Sequence, residues 1–449
     1  MLVKDIVKYT GGTLLCGDPE HDITSFTQDS RKVQPGGMYI PIIGENHDGH
    51  DFIPGAFENG AQAVITQREM TDDTHDIILV DDTFKALGKM AAGLREMSGA
   101  KVIGITGSAG KTSTKDLVFS VVSQKYTALK TLGNYNNLIG NPLTLLRWQG
   151  EEVMVIEMGM GAIGDVDYLS NIGKPDIALI TNIGTAHIGE IGSQDKIFEC
   201  KMEITHGLAK DGVLIVNGDD KYLSKVEDNG YTVKKVTIKD GDGLKAYDIN
   251  LGEYGSEFTV DLNGKPTRFT VPVAGAHYIT DALLAIQTGL ELDVPAKDIV
   301  YGVAHFELTK NRADEFKLDG DIRVIDGTYN ANTTSMAASM DVLAASGRRT
   351  VAVFADMLEM GDYEEETHRE VGAYAVKKKL DVVLTVGHGG AYIADEAKKG
   401  GINATHYEDN TALIKALDDV LQPGDCVLIK GSNGMHLGEV INHLKERAV

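Results

Sequence analysis

GITGSAGKTSTKD, residues Gly104 to Asp116, follows the apolar pair Val102–Ile103 and sets a lysine between a glycine and a threonine. In the usual phosphate loop four residues separate the first glycine from Gly-Lys-Ser/Thr. Here position 105 is Ile, and Gly104, Gly107 and Gly110 precede Lys111 and Thr112. The physics survives that spacing. A strand ending at Thr106 feeds a glycine-rich turn whose backbone N–H groups can point at phosphate oxygens, and a helix beginning near Lys111 adds its positive N-terminal end. Lys111 offers a point charge to the β and γ phosphates, and the Thr112 hydroxyl offers a ligand to Mg²⁺. A plain strand-to-helix turn would account for the glycines. It would not account for a lysine at a helix start, where the dipole disfavours a cation. Gly107, Ser108, Ala109, Gly110, Lys111, Thr112 and Ser113 therefore form the candidate ATP site. The motif leaves open whether the nucleotide drives motion, signalling or the making of a bond.

Working outward, 449 residues exceed one ordinary core, and the pattern divides into three segments. Residues 1–99 hold short strands (GGMYIPI, AQAVIT, DIILVDD) and the helical stretch TFKALGKMAAGLREMSG, which Ser98-Gly99-Ala100 breaks. Residues 100–312 alternate strand-like runs such as KVIGIT, EVMVIEM and DIALITN with helical runs, as in a parallel sheet with crossovers. Residues 313–449 repeat the alternation with IRVIDG, TVAVFADM, DVVLTVG and CVLIKGS, which suits a smaller doubly wound sheet. The expected fold is α/β with a small mixed N-terminal domain, a central phosphate-loop domain and a C-terminal Rossmann-like domain.

Bulk properties narrow the class. No stretch approaches the apolar length that spans a bilayer, and the first residues lack a signal peptide's apolar core. Three scattered cysteines, Cys16, Cys200 and Cys426, suit a reducing compartment, so a cytoplasmic enzyme is expected. A net charge of −23 without a basic run argues against a nucleic-acid partner.

In an open parallel sheet ligands gather beyond the carboxyl ends of the strands. Glu157 ends VMVIEM and His187 follows IALIT in TNIGTAHIGE, so both belong on the rim that carries the phosphate loop. Glu157 suits a hard Mg²⁺ ion, while His187 suits a metal or a phosphate. DKIFECKMEITHGLAK reads as one amphipathic helix with Ile197, Ile204 and Leu208 on a face, and Lys201 falls in the middle of that apolar stripe. A lysine there must snorkel, lose its proton, pair or be modified, and a neutral amine can add carbon dioxide to give a carbamate.

Taken together, these stretches resemble the Mur ligases of peptidoglycan synthesis, and within them the branch that adds D-alanyl-D-alanine. The likeness runs along the whole chain: DSR (29–31), GENHDGHDF (44–52), the phosphate loop, GNYNNLIGNPLTLL (133–146), GTAHIG, CKMEI, KNRADEF, DGTYNANTTSM (326–336), DMLEMG and KGSNGM (430–435). The phosphate loop is common to all Mur ligases and to folylpolyglutamate synthases, whereas GNYNN, YNAN and DMLEMG point to the branch. The resemblance implies an ATP-dependent ligase that joins UDP-MurNAc-tripeptide to D-Ala-D-Ala through an acyl phosphate; the sequence leaves the oligomeric state open, and a monomer is the expectation. It implies that Ser30 and Arg31 contact the UDP end of the substrate, and that Asn137, Arg312 and Asp326 contact ATP. It further implies that Lys111, His187 and Lys201 serve catalysis and that Thr112, Glu157, His187 and a carbamylated Lys201 serve two Mg²⁺ ions. Gly327, Thr333, Ala355 and Asn433 depart from the family pattern. A phosphate-loop ATPase switch without ligase activity and another Mur ligase are the rival readings. The third-domain DNPR string of the diaminopimelate-adding enzyme is absent.

Overall fold

The computed structural model describes residues 1–309 and 314–447. Its strands form sheets of five, nine and six strands in chain order. The first sheet is mixed: Thr13–Cys16 runs antiparallel to Asp76–Leu79, and the remaining neighbours Ala61–Thr66, Gly37–Tyr39 and Phe26–Thr27 are parallel. Its long helix, Thr83–Ser98, is capped by the Asp82 carboxylate and stops at Gly99 in the left-handed region, so the break expected around 98–100 is where the helix ends. That helix also packs on the second sheet, because Ala86 to Leu94 share a buried cluster with Met154 and Ile156.

In the central sheet the strand Lys101–Thr106 lies between Val153–Glu157 and Ile177–Ile180, all parallel. Val102, Met154 and Ile156 point to one face, Ile103, Ile105 and Val155 to the other, and both faces are buried. That double burial explains why these strands read as continuous apolar runs. Helices Lys111–Val122 and Ala276–Glu291 cover the second face.

Two features differ from the sequence expectation. The alternation of strand and helix stops at Leu244, after which Leu244–Leu251, Ser256–Leu262 and Lys265–Val271 form an antiparallel extension. Its last turn is Asn263-Gly264 with φ of 51° and 75°, the two-residue hairpin loop whose twist suits the flanking strands. The expected helix through Leu208 is also shorter. It ends at Met202 and passes into a 3₁₀ turn, Glu203–Thr205. Ser170 causes this ending: its hydroxyl donates 2.6 Å to the Ile204 carbonyl and accepts from Gly207 N–H, drawing the chain off the helical path.

The six-stranded sheet runs Asp314–Leu318, Ile322–Gly327, Cys426–Lys430, Thr350–Phe354, Val382–Val386, Asn403–Tyr407, antiparallel only at its first pair. Met336, Val371 and Ile393 bring helices to one face, while Leu413, Leu417 and Ile441 bring others to the opposite face. The sheet is therefore doubly wound, as the sequence indicated.

The second and third domains touch at several places, two of them far apart. At the tip of a central-sheet hairpin, the Glu253 carbonyl accepts from Arg323 at 2.8 Å, its carboxylate from Arg348 at 3.1 Å, and the Arg323 guanidinium stacks over the Tyr254 ring. On the other side Gly189 N–H donates to the Glu359 carbonyl at 3.2 Å, and the Tyr363 hydroxyl donates to the Gly192 carbonyl at 2.7 Å. A Cβ at Gly189 would stand 2.5 Å from the Gly361 nitrogen, so backbone meets backbone there. Gly189→Ala should leave thermal unfolding nearly unchanged yet force the domains apart, lowering turnover about 100-fold; small-angle scattering of the variant would show the wider particle.

Candidate active site

Gly107 adopts φ 145°, and a Cβ there would stand 1.9 Å from the Thr181 hydroxyl, so only glycine lets the loop approach the neighbouring strand's end. Asn182 then fixes the loop from both sides: its amide oxygen accepts from Ala109 N–H and its amide nitrogen donates to the Ala109 carbonyl, each at 3.0 Å. Gly110 caps the helix in the left-handed region with φ 78°, and Lys111 opens it. The Lys111 ammonium lies 2.7 Å from the Gly107 carbonyl, folded back over the loop.

The loop faces a cavity of about 460 Å³ between the second and third domains. Ser108, Ala109, Gly110, Lys111 and Ser113 line it, as do Asn137, Glu157 and His187. Glu157 is 1% exposed and ends its strand as expected. Its carboxylate accepts from the Thr112 hydroxyl at 2.9 Å and from the Asn136 amide at 2.7 Å. His187 adopts φ 63° and lies 2.7 Å from the Glu359 carboxylate of the third domain. Burial pushes its pKa down, against the pull of Glu359 and with help from the charges of Lys111 and Lys201. Lys201 is 1% exposed, and burial first, then the Lys111 charge, drive its pKa well below the ordinary lysine value. Of the courses open to this lysine, burial rules out snorkelling, and the lowered pKa favours the uncharged amine.

Among the described residues no three His, Cys, Asp or Glu side chains gather as a metal cage. The rim instead offers one carboxylate beside a hydroxyl and an imidazole, a donor set that fits Mg²⁺, which takes one or two protein carboxylates and completes its shell with phosphates and water.

Other sequence candidates stand apart. Gly107, Thr112 and Lys201 lie behind the cavity lining, as does Asp326, whose carboxylate accepts from the N–H and hydroxyl of Thr328 while Gly327 beside it faces the cavity. Arg312 lies outside the described residues. Ser30 and Arg31 sit in a 3₁₀ turn of the first domain, with Arg31 84% exposed and paired to Asp29 at 2.8 Å. Nearby, Gln28, Tyr39, His47 and Phe52 line a separate concavity that Ile139 closes from the central domain.

The sequence reading passed over Asn136, Asn182, His277, Asp281 and Lys430, all of which line the main cavity. Asp281 carried a usable signal, since it interrupts the apolar helix segment ITDALLAI much as Lys201 interrupts its own. Its carboxylate accepts from Ser113 at 2.6 Å and Thr114 at 3.0 Å, bracing the helix that follows the phosphate loop. Burial raises its pKa to about 7 despite those two donors. Asp116, on the same helix, accepts from Thr309 N–H and hydroxyl, both at 2.8 Å, and from Lys130.

Comparison with known proteins agrees with this geometry. Residues 105–289 match the Mur ligase middle domain, 311–433 the Mur ligase glutamate ligase domain, and 22–95 the Mur ligase family catalytic domain. The chain belongs to the Mur ligase family, ATP-using enzymes that form peptide bonds. It is 38% identical to the UDP-N-acetylmuramoyl-tripeptide–D-alanyl-D-alanine ligase of Bacillus subtilis, covering 99% of this chain and 98% of that one. It is 33% identical to the enzyme of the same name from Escherichia coli, over 95% of each. A crystal structure of MurF from Acinetobacter baumannii superposes with a TM-score of 0.92 at 31% identity, covering 99% of this chain and 98% of that one. MurF from Thermotoga maritima in complex with ADP gives 0.84 at 26% identity, covering 94% and 97%. Among the described residues no helix is long and apolar enough to cross a membrane.

Asp281 gives a pH test. The unfolded chain releases this proton near 3.8 and the folded chain near 7, so between those values the folded state binds more protons and stability falls as pH rises. Asp281→Asn should remove that slope, so that the Tm of the parent, measured by calorimetry, declines relative to the variant from pH 4 to 7.

Proposed function

We propose that this chain is the ligase that joins the terminal carboxylate of UDP-MurNAc-tripeptide to the amine of D-Ala-D-Ala at the expense of ATP, giving UDP-MurNAc-pentapeptide for peptidoglycan synthesis. The observation that carries the reading is the cavity itself, where the phosphate loop and Glu157 face a wall built by a second α/β domain. A switch ATPase needs the loop alone. A bond-forming enzyme needs room for two further substrates beside it.

A carboxylate is a poor electrophile in water, so ATP must first convert it to an acyl phosphate, and two anions have to meet. Lys111 offsets charge on the transferred phosphoryl group, and the loop N–H groups orient the chain of phosphates. Mg²⁺, held by Thr112, Glu157 and His187, would act there as a Lewis acid on phosphoryl oxygens. The amine of D-Ala-D-Ala then attacks the acyl carbon, a proton leaves the nitrogen, and phosphate departs with the bonding electron pair. Domain contacts through Gly189 and Glu253 hold the third domain over the cavity and keep water from the acyl phosphate.

Finer assignments belong to the same proposal. Residues 1–99 bind the UDP end through Ser30 and Arg31, residues 100–312 bind ATP with Asn137 and Arg312, and residues 313–449 supply Asp326 and the ligase wall. Lys201 carries a carbamate: its uncharged amine adds carbon dioxide, a nitrogen–carbon bond forms and a proton is released, leaving an anionic oxygen ligand for a second Mg²⁺. Burial and the lowered pKa of Lys201 support this. We place the enzyme in the cytoplasm, as its three scattered cysteines suit a reducing compartment, and take it to work as a monomer. The net charge of −23 supports substrates other than nucleic acid.

Phosphate release from ATP should require Mg²⁺, UDP-MurNAc-tripeptide and D-Ala-D-Ala together; release indifferent to both peptides would leave only the switch reading. Lys111→Ala should lower kcat by about 10²- to 10³-fold. Lys201→Ala should lose activity by a similar factor and recover part of it in added short-chain carboxylic acid, which replaces the missing oxygen ligand. Full activity in that variant would sink the carbamate.

A further inference from the structure

Lys115 is a buried cation to which the mechanism above gives no part. It lies one turn beyond Lys111 on the helix Lys111–Val122 and is 1% exposed. Its ammonium donates to the Thr131 carbonyl at 3.1 Å and to the Thr309 hydroxyl at 3.3 Å, and it lies 3.2 Å from the Asp116 carboxylate. Asp116 does not call for this lysine, because Lys130 already meets it at 2.8 Å from a partly exposed position. Burying a second cation costs desolvation that such a pair hardly repays. Stability alone therefore does not account for Lys115.

Its grip leads to Thr131, a fully buried residue that follows the strand Ala128–Lys130. The Thr131 N–H donates to the Val155 carbonyl at 3.1 Å, and its hydroxyl accepts from the Glu157 N–H at 3.0 Å. The Glu157 carbonyl in turn accepts from the Asn141 amide at 3.0 Å. One helix thus reaches Glu157 by two routes. In front, the Thr112 hydroxyl donates to its carboxylate; behind, Lys115 holds its backbone through Thr131. The charges feel each other as well: burial lowers the pKa of Lys115, while Asp116 and then Glu157 oppose that shift.

We propose that Lys115 is a positioning residue for magnesium, which by holding Thr131 fixes Glu157 against Thr112 so that one ion can take both. The inference rests on the magnesium role proposed above for Glu157 and Thr112. A supporting contact of this kind is worth about 10- to 100-fold in metal affinity. A bare effect of charge has the opposite sign, since deleting one cation strengthens the binding of another nearby.

Calorimetry on the full chain gives the affinity for the β,γ-methylene analogue of ATP with and without Mg²⁺, and the factor by which Mg²⁺ tightens it reports the hold on the ion. Lys115→Met should shrink that factor about 10-fold and leave the affinity without Mg²⁺ unchanged. The Mg²⁺ concentration that half-saturates turnover should rise by a like amount. Thr131→Val, which deletes the acceptor for the Glu157 N–H, should do the same, and the double variant should be no worse than either. Lys115→Gln repeats the measurement should the methionine variant not fold. Affinity lowered equally with and without Mg²⁺ would reduce Lys115 to a structural part and overturn the proposal. A larger factor would overturn it too, by showing only a repelling charge, as would losses that add in the double variant. A parent enzyme on which Mg²⁺ brings no tightening would overturn the magnesium reading of Glu157 instead, and this inference with it.

Discussion

Asn182 grips Ala109 by both its N–H and its carbonyl, and Gly107 lets the Thr181 hydroxyl come close enough to support the same turn. A phosphate loop works only if its N–H groups hold their direction when an anion arrives, because dipoles that must reorient give up much of their effect. Here the direction is set by the end of the neighbouring strand, Ile177–Ile180, before any ligand enters. The third domain takes its bearing from that turn as well: Asn332, which caps the helix Thr333–Ala345, donates to the Ser108 carbonyl, and Thr185 meets Thr333 at 2.5 Å. Loop and opposite wall are thus aligned through one short stretch of backbone.

Around that fixed turn the protein keeps ionisable groups where a charge is costly. Glu157, Lys201, Asp281 and Lys115 are buried within or behind the site. Each is held differently. Glu157 has hydroxyl and amide donors, Asp281 two hydroxyls, and Lys115 the Asp116 carboxylate at 3.2 Å. Lys201 is held low in pKa by burial and by Lys111. Structural ion pairs can produce such shifts too, but a cleft bounded by several of them is where tuned groups gather for chemistry.

The parts of this arrangement legible in the sequence are those that a single element carries. The phosphate loop, the strand-end position of Glu157 and the intrusion of Lys201 into an apolar stripe are all local patterns. Family resemblance added roles for Asn137 and Asp326 that spacing alone does not give. What escaped were contacts across elements: the grip of Asn182 on Ala109, the pairing of His187 with Glu359, and the approach of Gly189 to Gly361 join residues distant in the chain. The helix past Met202 was over-read because its ending depends on Ser170, a residue of another helix. The antiparallel extension did carry local signals, the alternating burial of Ser256–Leu262 and the Asn263-Gly264 turn.

Asp116 gives the arrangement a mechanical side. It lies one turn into the helix that Lys111 opens, and its carboxylate accepts from both the N–H and the hydroxyl of Thr309, far along the chain. Thr309 is thereby bolted to the phosphate-loop helix, so a displacement of either is felt by the other.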